Sequence, residues 1–170
     1  MTQARTSGVR PAEPADVLFI TGLAERLAEV SRLPWLPQAA TDRFAAGGCH
    51  QAAAAIGQPG HVVLVASGGA GERLGFVHAH LDENVFTGEV VGYVSVVAVT
   101  AAAAGIGVGR QLMAAAEVWA SQQGCVLITL EVFASNTVAR SVYERLGYRE
   151  QTLRLAKQLH GSAVHVEDGT

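Results

Sequence analysis

The sequence is poor in cysteine and has no long apolar run. Cys49 and Cys125 are the two cysteines among its 170 residues, and each lies in or beside an apolar stretch, where a free thiol behaves as a small hydrophobic side chain. No stretch approaches the roughly 18 apolar residues of a membrane-spanning helix, and residues 1–10 lack the apolar core of a signal peptide. We therefore expect a cytoplasmic protein with reduced thiols that neither crosses nor binds a membrane.

Clusters of basic residues are also missing. Lys and Arg together number 12 against 15 Asp and Glu, which gives a formal net charge of −3, and the cations are spaced singly along the chain. Because proteins bind a phosphate backbone through concentrated basic surfaces, we expect no nucleic-acid partner. The slight acidity would suit a cationic amine substrate, although an uninvolved surface can carry the same charge.

The length and composition are those of one globular domain. The chain of 170 residues can bury one full core and is too short for two ordinary domains. Apolar residues make up 49 %, charged residues 16 %, and glycine occurs 19 times. We expect a flexible tail over residues 1–8, a single domain over residues 9–160 and a disordered tail over residues 161–170.

Periodicity and turn residues predict a mixed α/β chain. A helical period covers residues 17–30 after an N-cap at Asp16, and a second helix within residues 38–56 is weakened by Gly47 and Gly48. Strands are predicted at residues 61–66, 73–81, 90–100 and 126–132, helices at 107–123 and 136–146, and an extended segment at 148–159. The first three of these strands should form an antiparallel meander and the later crossover should be parallel.

A glycine-rich turn follows the β-branched strand VVGYVSVVAVT. The segment AAAAGIGVGRQLM places Gly105, Gly107 and Gly109 at the start of a helix, where bare backbone N–H groups can approach a phosphate closely, with Arg110 in the first turn. A dinucleotide site is the rival interpretation, because Glu131 ends the next strand. The G-x-G-x-G spacing and the mid-chain position argue against that rival, and a turn that only completes the crossover is the structural alternative.

Together with the residues downstream, this stretch resembles the core of the GNAT superfamily of N-acetyltransferases. The family pattern is a strand, R/Q-x-x-G-x-G/A opening a helix, a second strand, and an Asn-containing helix ending in Tyr-x-x-x-Gly-Phe/Tyr. Residues 90–149 match it with VSVVAV, AGIGVG, LITLEV and NTVARSVYERLGY, and VRPAEPAD is similar to the usual first strand. Ala104 departs from the pattern at its Arg/Gln position.

The resemblance implies a GNAT-like fold and acetyl-CoA as cosubstrate, with no metal. The expected fold is a mixed, mostly antiparallel sheet flanked by helices, with a bulged central strand that splays from its neighbour. The expected cofactor contacts are a β-like pairing of the pantetheine arm and a backbone nest for the pyrophosphate. The residues assigned to them are Val97, Ala98 and Val99 for the arm, Gly105, Ile106, Gly107, Val108, Gly109 and Arg110 for the nest, and Asn136 and Tyr143.

The same resemblance assigns two catalytic residues. Tyr143 is the candidate acid that protonates the departing thiolate, and Glu131 is the candidate base. The sequence EVFASN and its spacing to Tyr143 are similar to the branch that acetylates the N-terminal alanine of a ribosomal protein. Packing in the core is the alternative for Tyr143, a solvent-facing position the alternative for Glu131, and a helix N-cap the purely structural role of Asn136.

The implied function is direct acetyl transfer from acetyl-CoA to a primary amine, on a protein N-terminus or a small molecule, by a protein that could be a homodimer. A catalytically silent acetyl-CoA-binding or regulatory module is the alternative, because Ala104 is out of pattern. His78 and His80 share a strand face but show no third ligand at a suitable spacing, so no metal site is predicted. Trp35, between two prolines, is a candidate for an acceptor pocket or a hydrophobic anchor.

Overall fold

The computed structural model describes residues 6–157 and 159. Its sheet has five strands in chain order: β1 (Thr6–Pro11), β2 (His61–Gly68), β3 (Arg73–Glu83), β4 (Val90–Val99) and β5 (Ile128–Leu130). The helices are α1 (Val17–Gly22), α2 (Ala24–Val30), α3 (Gln38–Ala54), α4 (Val108–Gln122) and α5 (Thr137–Arg145), with 3₁₀ turns at Pro14–Asp16 and Ala101–Ala103. Within the described residues, no helix is both long and apolar enough to span a bilayer.

The strand pairing confirms the predicted mixed sheet. β1 to β4 pair antiparallel with their neighbours, whereas β5 pairs parallel to β4. Short connections join β2 to β3 and β3 to β4, and such connections produce antiparallel neighbours. The connection from β4 to β5 contains α4, which returns the chain to the same end of the sheet and makes that pair parallel.

Each face of the sheet has its own hydrophobic core. Beneath α4, Leu112 and Met113 are buried against β3 and β4, where Val77 is fully buried. On the other face, Ile20 of α1 and Phe76 of β3 are fully buried in a core that α3 completes. The sheet is therefore the middle of three layers, and residues that alternate along β3 and β4 belong to different cores.

The central strand β4 is bulged and separates from β5. His78 pairs with Val96 and Ala79 with Val94, so Ser95 is the extra residue on β4. β5 pairs with β4 only over residues 92–94. Beyond this point, the edge of β4 that faces away from β3 has no strand partner in the part of the chain that the structure describes. The expected bulge and splay are thus confirmed.

Two predicted helices differ from those observed. The helix expected over residues 17–30 is broken at Leu23, whose N–H bonds to Ile20 O at 3.3 Å, and the break allows both α1 and α2 to contact α3. Conversely, α3 continues through Gly47 and Gly48. A Cβ on Gly48 would lie 3.2 Å from Val96 Cγ2, so the glycine allows a close approach of α3 to β4.

Several chain segments also differ from the predictions. β1 begins at Thr6, inside the predicted tail, and β5 is shorter than the predicted strand at 126–132. Residues 148–157, which lie in the predicted extended segment 148–159, form no strand, and Leu153 and Leu155 there are exposed. A terminal strand needs an edge to pair with, and three-residue β5 offers a short one. Residues 1–5 and 160–170, and the predictions for them, lie outside the described residues.

Asp16 is at the N-cap position of α1, as the sequence predicted, and it also holds the first strand to the third. It makes no side-chain cap to α1. Its fully buried carboxylate accepts hydrogen bonds from Arg10 Nη1 at 2.7 Å and Nη2 at 3.0 Å, from the Glu13 N–H at 2.8 Å, and from Arg73 Nε. The hydrogen bonds with Arg10 are the main reason that the pKa of Asp16 lies well below its usual range.

Candidate active site

The glycine-rich turn leads from β4 into α4 through two left-handed residues. Gly105 has φ +77° and Gly107 has φ +90°, conformations that side chains rarely adopt. Val108, which follows, is fully buried and anchors the start of α4. Gly109 lies in the helix proper, and a Cβ there would be in ordinary contact, 3.9 Å from Val99 Cγ1. Two of the three glycines are therefore required by the backbone.

The start of α4 presents backbone N–H groups without helix partners. The first bond of the helical type runs from Gln111 N–H to Gly107 O at 3.1 Å, so the N–H groups of residues 108–110 precede it. Ile106 and Arg110 are exposed, and Ala104 contributes no polar side chain. The positive end of the helix dipole and these N–H groups together make an anion site built from backbone atoms.

We call the space beside the open edge of β4, beyond its pairing with β5, the slot. Thr100 N–H donates to Leu74 O at 2.8 Å, toward β3. Because N–H groups alternate between the two edges of a strand, Val97 and Val99 direct theirs toward the slot. The Ala98 side chain lies between them and is buried in the core beneath α1 and α3. The slot therefore offers alternating backbone donors and acceptors to an extended ligand.

Asn136 is the N-cap of α5, as the sequence predicted. Its side-chain oxygen accepts a hydrogen bond from Ala139 N–H at 3.0 Å. Its own N–H donates to Phe133 O at 2.9 Å, which closes the turn after β5. The cap fixes where α5 begins and therefore which residues of this helix face the sheet.

Tyr143 is the α5 aromatic that packs toward the sheet. Its ring lies against the core beneath α4 and meets Tyr148 edge to face, with 5.8 Å between ring centroids. Burial raises the pKa of Tyr143, so its hydroxyl keeps its proton at neutral pH. The Tyr148 hydroxyl donates to Glu117 Oε1 at 3.0 Å. The core packing offered as an alternative for Tyr143 is present, and it leaves the ring with a neutral, proton-bearing hydroxyl.

Glu131 stands directly after β5 and is exposed rather than buried between strands. It lies two residues beyond Thr129, which pairs with Tyr93 on β4. Burial is the main reason that the pKa of Tyr93 is raised, and the negative charges of Glu131 and Asp82 raise it further. An acidic surface therefore borders this part of β4.

Three histidines, His61 of β2 and His78 and His80 of β3, meet beneath the C-terminal end of α3. The β2–β3 register sets His61 opposite His80, and His78 is two residues before His80 on the same strand. The ring centroid of His61 lies 5.4 Å from that of His78 and 5.4 Å from that of His80. Burial, followed by the charges of His61 and His80, lowers the pKa of His78 to about 4. His61 is the member that the sequence pattern missed, although the register of the predicted hairpin could have indicated it.

A cleft at the connection between α2 and α3 lies near the segment that follows β5. Its lining residues are Arg32, Leu33, Pro34, Leu36, Gln38 and Thr41. Ser135 Oγ donates to Arg32 O at 2.8 Å, and the rings of Phe44 and Phe133 meet edge to face with centroids 5.4 Å apart. Trp35 is 52 % exposed and is not among the lining residues.

Solved structures of acetyltransferases share this fold. A Pyrococcus furiosus protein assigned as an acetyl transferase is 23 % identical, with a TM-score of 0.71 over 89 % of this chain and 98 % of that one. Aminoglycoside N-acetyltransferase AAC(6')-Iy in complex with CoA is 18 % identical, with a TM-score of 0.67 over 95 % and 100 %. Aminoglycoside 6'-N-acetyltransferase AAC(6')-IG from Acinetobacter haemolyticus is 20 % identical, with a TM-score of 0.63 over 89 % and 99 %.

The sequence itself decides the family. No curated protein shows significant similarity to the chain. Residues 23–148, however, match the pattern of the Acetyltransferase (GNAT) family, and this stretch contains α2 to α5, the bulged strand and the glycine-rich turn. Since the match covers most of the chain, the protein belongs to the acetyltransferase (GNAT) family and is an acetyl-CoA-dependent acyltransferase.

Proposed function

We propose that the protein transfers the acetyl group of acetyl-CoA directly to a primary amine, with the cofactor lying in the slot beside β4. The observation that carries this proposal is the order of two features: the open edge of β4 is followed, after a short connection, by the bare N–H groups at the start of α4. An extended thioester arm that ends in a pyrophosphate has this same order of groups. One ligand can therefore pair with the strand and place its anion at the helix.

The pyrophosphate is assigned to the turn formed by Gly105, Ile106, Gly107, Val108, Gly109 and Arg110. The turn would bind the pyrophosphate through its backbone N–H groups, since Ala104 offers no side-chain contact. Arg110 is exposed in the first turn of α4, where a cation opposes the helix dipole unless an anion is bound there. Asn136, beyond its role as a cap, is assigned a cofactor contact at the opposite wall.

The pantetheine arm is assigned to the segment Val97, Ala98 and Val99. Val97 and Val99 carry the groups directed toward the slot, so they supply the hydrogen bonds, and Ala98 keeps the strand seated in its core. An N–H of this segment that lies near the thioester carbonyl would stabilise the oxyanion of the tetrahedral intermediate. No side chain is required for this contribution.

The chemistry needs a neutral amine and a proton for the thiolate. The amine nitrogen attacks the thioester carbonyl carbon, the C–S bond of the intermediate breaks, and the departing sulfur takes the proton of the Tyr143 hydroxyl. The proton released by the amine goes to Glu131, whose exposed position suits transfer through water. Positioning supplies much of the rate, and each proton transfer contributes about 10²- to 10⁴-fold.

The acceptor is a cationic amine before it loses its proton, and the surface around Tyr93 favours such a group. Glu131 and Asp82 bring negative charge there. The cleft that Pro34 lines, at the α2–α3 connection, offers room for the rest of the acceptor. The similarity of EVFASN favours a protein N-terminus, and small amines such as the aminoglycosides taken by relatives of the same fold belong in the same assay.

A matched pair of tyrosine variants tests this mechanism. Thiol release from acetyl-CoA is followed with a panel of peptides and small amines. Tyr143→Phe should lower kcat about 100-fold while the KM for acetyl-CoA changes less than about threefold, because the acid acts on the leaving group. Tyr148→Phe is the control: it loses the hydrogen bond to Glu117 but keeps kcat.

The outcomes separate the alternatives. An unchanged kcat in Tyr143→Phe removes this residue as the acid. Binding of acetyl-CoA to the wild type with no thiol release across the whole panel would favour a silent binding module over an enzyme. No binding at millimolar acetyl-CoA would contradict the assignment of the slot itself.

A further inference from the structure

We infer that His61, His78 and His80 form a binding site for one divalent transition-metal ion of the Zn²⁺ type, with a coordination position open to solvent. One ring nitrogen of each histidine lies within 4.8 Å of those of the other two. The three rings come from β2 and β3 and face the C-terminal end of α3. This inference is independent of the proposed reaction.

The nitrogen spacing is close to that of ligands on one ion. His61 Nδ1 and His78 Nε2 are 3.1 Å apart. Two nitrogens bound to a tetrahedral Zn²⁺ at ~2.1 Å are separated by about 3.4 Å, so this pair already has nearly the required distance. The third ring is held less closely, but His61 is exposed and His80 only half-buried, so both can turn toward a shared ion.

The surroundings of His80 match the second shell of a metal ligand. His80 Nδ1 lies 2.9 Å from Ser95 Oγ, on the bulge of β4. Metal-bound histidines usually engage their other ring nitrogen in a hydrogen bond, which fixes the tautomer and the ring orientation. Ser95 would leave His80 Nε2 as the nitrogen that faces an ion.

His78 has bonding capacity that the protein alone does not use. The residue is 4 % exposed, and its Nδ1 is the buried side-chain nitrogen or oxygen without a hydrogen-bond partner among the described residues. An unsatisfied buried polar atom costs about 1–3 kcal/mol, and an apolar side chain would avoid that cost. The nitrogen that faces His61 is Nε2, so an ion bound there would leave Nδ1 as it is, but its bond to Nε2 would offset the cost of keeping an imidazole at this position.

The fourth coordination position is on the open side of the cluster. The three histidines line an open pocket with Gln51, Ala54, Ala55, Gln58 and Ser95. No cysteine or carboxylate is among these lining residues, so water would complete the coordination. Three histidines and a water are a ligand set that Zn²⁺ accepts readily, and imidazole also suits Cu²⁺ and Ni²⁺.

The test is metal titration of the tag-free full chain after removal of metals with a chelator. Calorimetry with Zn²⁺ should give one site per chain, and Co²⁺ in its place should produce the visible absorption of a low-coordinate site. Zn²⁺ should also raise the Tm, because an ion that binds the folded state stabilises it. None of these readouts requires acetyl-CoA or an acceptor.

Three variants and one control locate the site. His61→Ala and His80→Ala should each weaken Zn²⁺ binding by about 100-fold, and Ser95→Ala by about 10-fold, because loss of a second-shell partner loosens a ligand. His50→Ala, on the exposed side of α3, should bind as the wild type does. Far-UV circular dichroism checks that each variant is folded.

Two results would overturn the inference. One is the absence of Zn²⁺ binding to the folded wild type at about 100 µM, because a three-histidine site should bind Zn²⁺ more tightly than that. The other is a Zn²⁺ affinity in folded His61→Ala and His80→Ala equal to that of the wild type.

Discussion

The glycine-rich turn and the histidine cluster, which flank β4, are built in opposite ways. The turn uses backbone groups of neighbouring residues, among which Gly105 and Gly107 supply the positive φ angles. The cluster uses the side chains of residues separated by up to 19 positions, His61 and His80, which the β2–β3 register sets opposite each other. A backbone site tolerates Ala104 in place of a polar residue, whereas a side-chain site depends on each member.

The two regions also have opposite polarity. The start of α4 offers hydrogen-bond donors at the positive end of a helix dipole, so it suits an anion. The cluster offers imidazole lone pairs, so it suits a cation. Both depend on β4, since this strand has the open edge that precedes the turn and also carries Ser95, which contacts His80 of the cluster.

The largest expected effect concerns that common scaffold. Asp16→Asn removes the charge that binds Arg10 of β1 and Arg73 of β3. Because charge-assisted hydrogen bonds are lost around a buried side chain, we expect the free energy of unfolding at pH 7 to fall by about 3 kcal/mol. Urea unfolding measures this. The folded fraction should keep its affinity for both acetyl-CoA and Zn²⁺, and a selective loss of either would contradict a shared scaffold.

The wild type and Asp16→Asn should also differ in how their stability depends on pH. The folded-state pKa of Asp16 is depressed, so its stabilisation is present above the unfolded-state value, about 3.9, and is lost as pH falls toward the folded-state value. The stability difference between wild type and Asp16→Asn should therefore shrink below about pH 4. A difference that stays constant between pH 7 and pH 2 would show that the charge is not the source.

The next largest effect is expected in the glycine-rich turn. Gly107→Ala places a Cβ at φ +90°, which costs about 1–2 kcal/mol, so the affinity for acetyl-CoA should fall about 10-fold. Gly109→Ala is the matched control, because its helical position has room for a Cβ, and it should stay within about twofold. Calorimetry with acetyl-CoA measures both. Equal losses in the two variants would mean that φ is not the decisive property, and Zn²⁺ binding should change in neither.

The smallest effect is expected at Asn136, where two variants distinguish its role as the N-cap of α5 from the proposed cofactor contact. Asn136→Ala should lower the free energy of unfolding by about 1 kcal/mol, because Ala139 N–H loses its acceptor. Asn136→Asp keeps a capping oxygen and should restore that stability. Acetyl-CoA affinity that stays low in Asn136→Asp would support a cofactor contact, whereas full recovery would leave the cap as its role.

Local features were predictable because their causes lie within a few residues. The N-cap at Asn136 needs only the N–H three residues on, and the left-handed glycines need only the turn that contains them. The break at Leu23 was not predictable in this way, since it depends on how α1 and α2 meet α3. The ion pair of Asp16 with Arg73 was missed for a similar reason, because the two residues are 57 positions apart.

The sequence by itself determined the acetyltransferase pattern, the glycine-rich turn and the capped helix that bears Tyr143, because hydrogen bonds and φ angles within short segments specify them. The bulge and the splay of the central strand were expected, but only the tertiary structure decided that the bulge would fall at Ser95, that β5 would pair with β4 only over residues 92–94, and that His61 would join His78 and His80. Each of these depends on strand register. Register is set when neighbouring strands bury their side chains on both faces of the sheet at once, so the sequence of a single strand does not specify it.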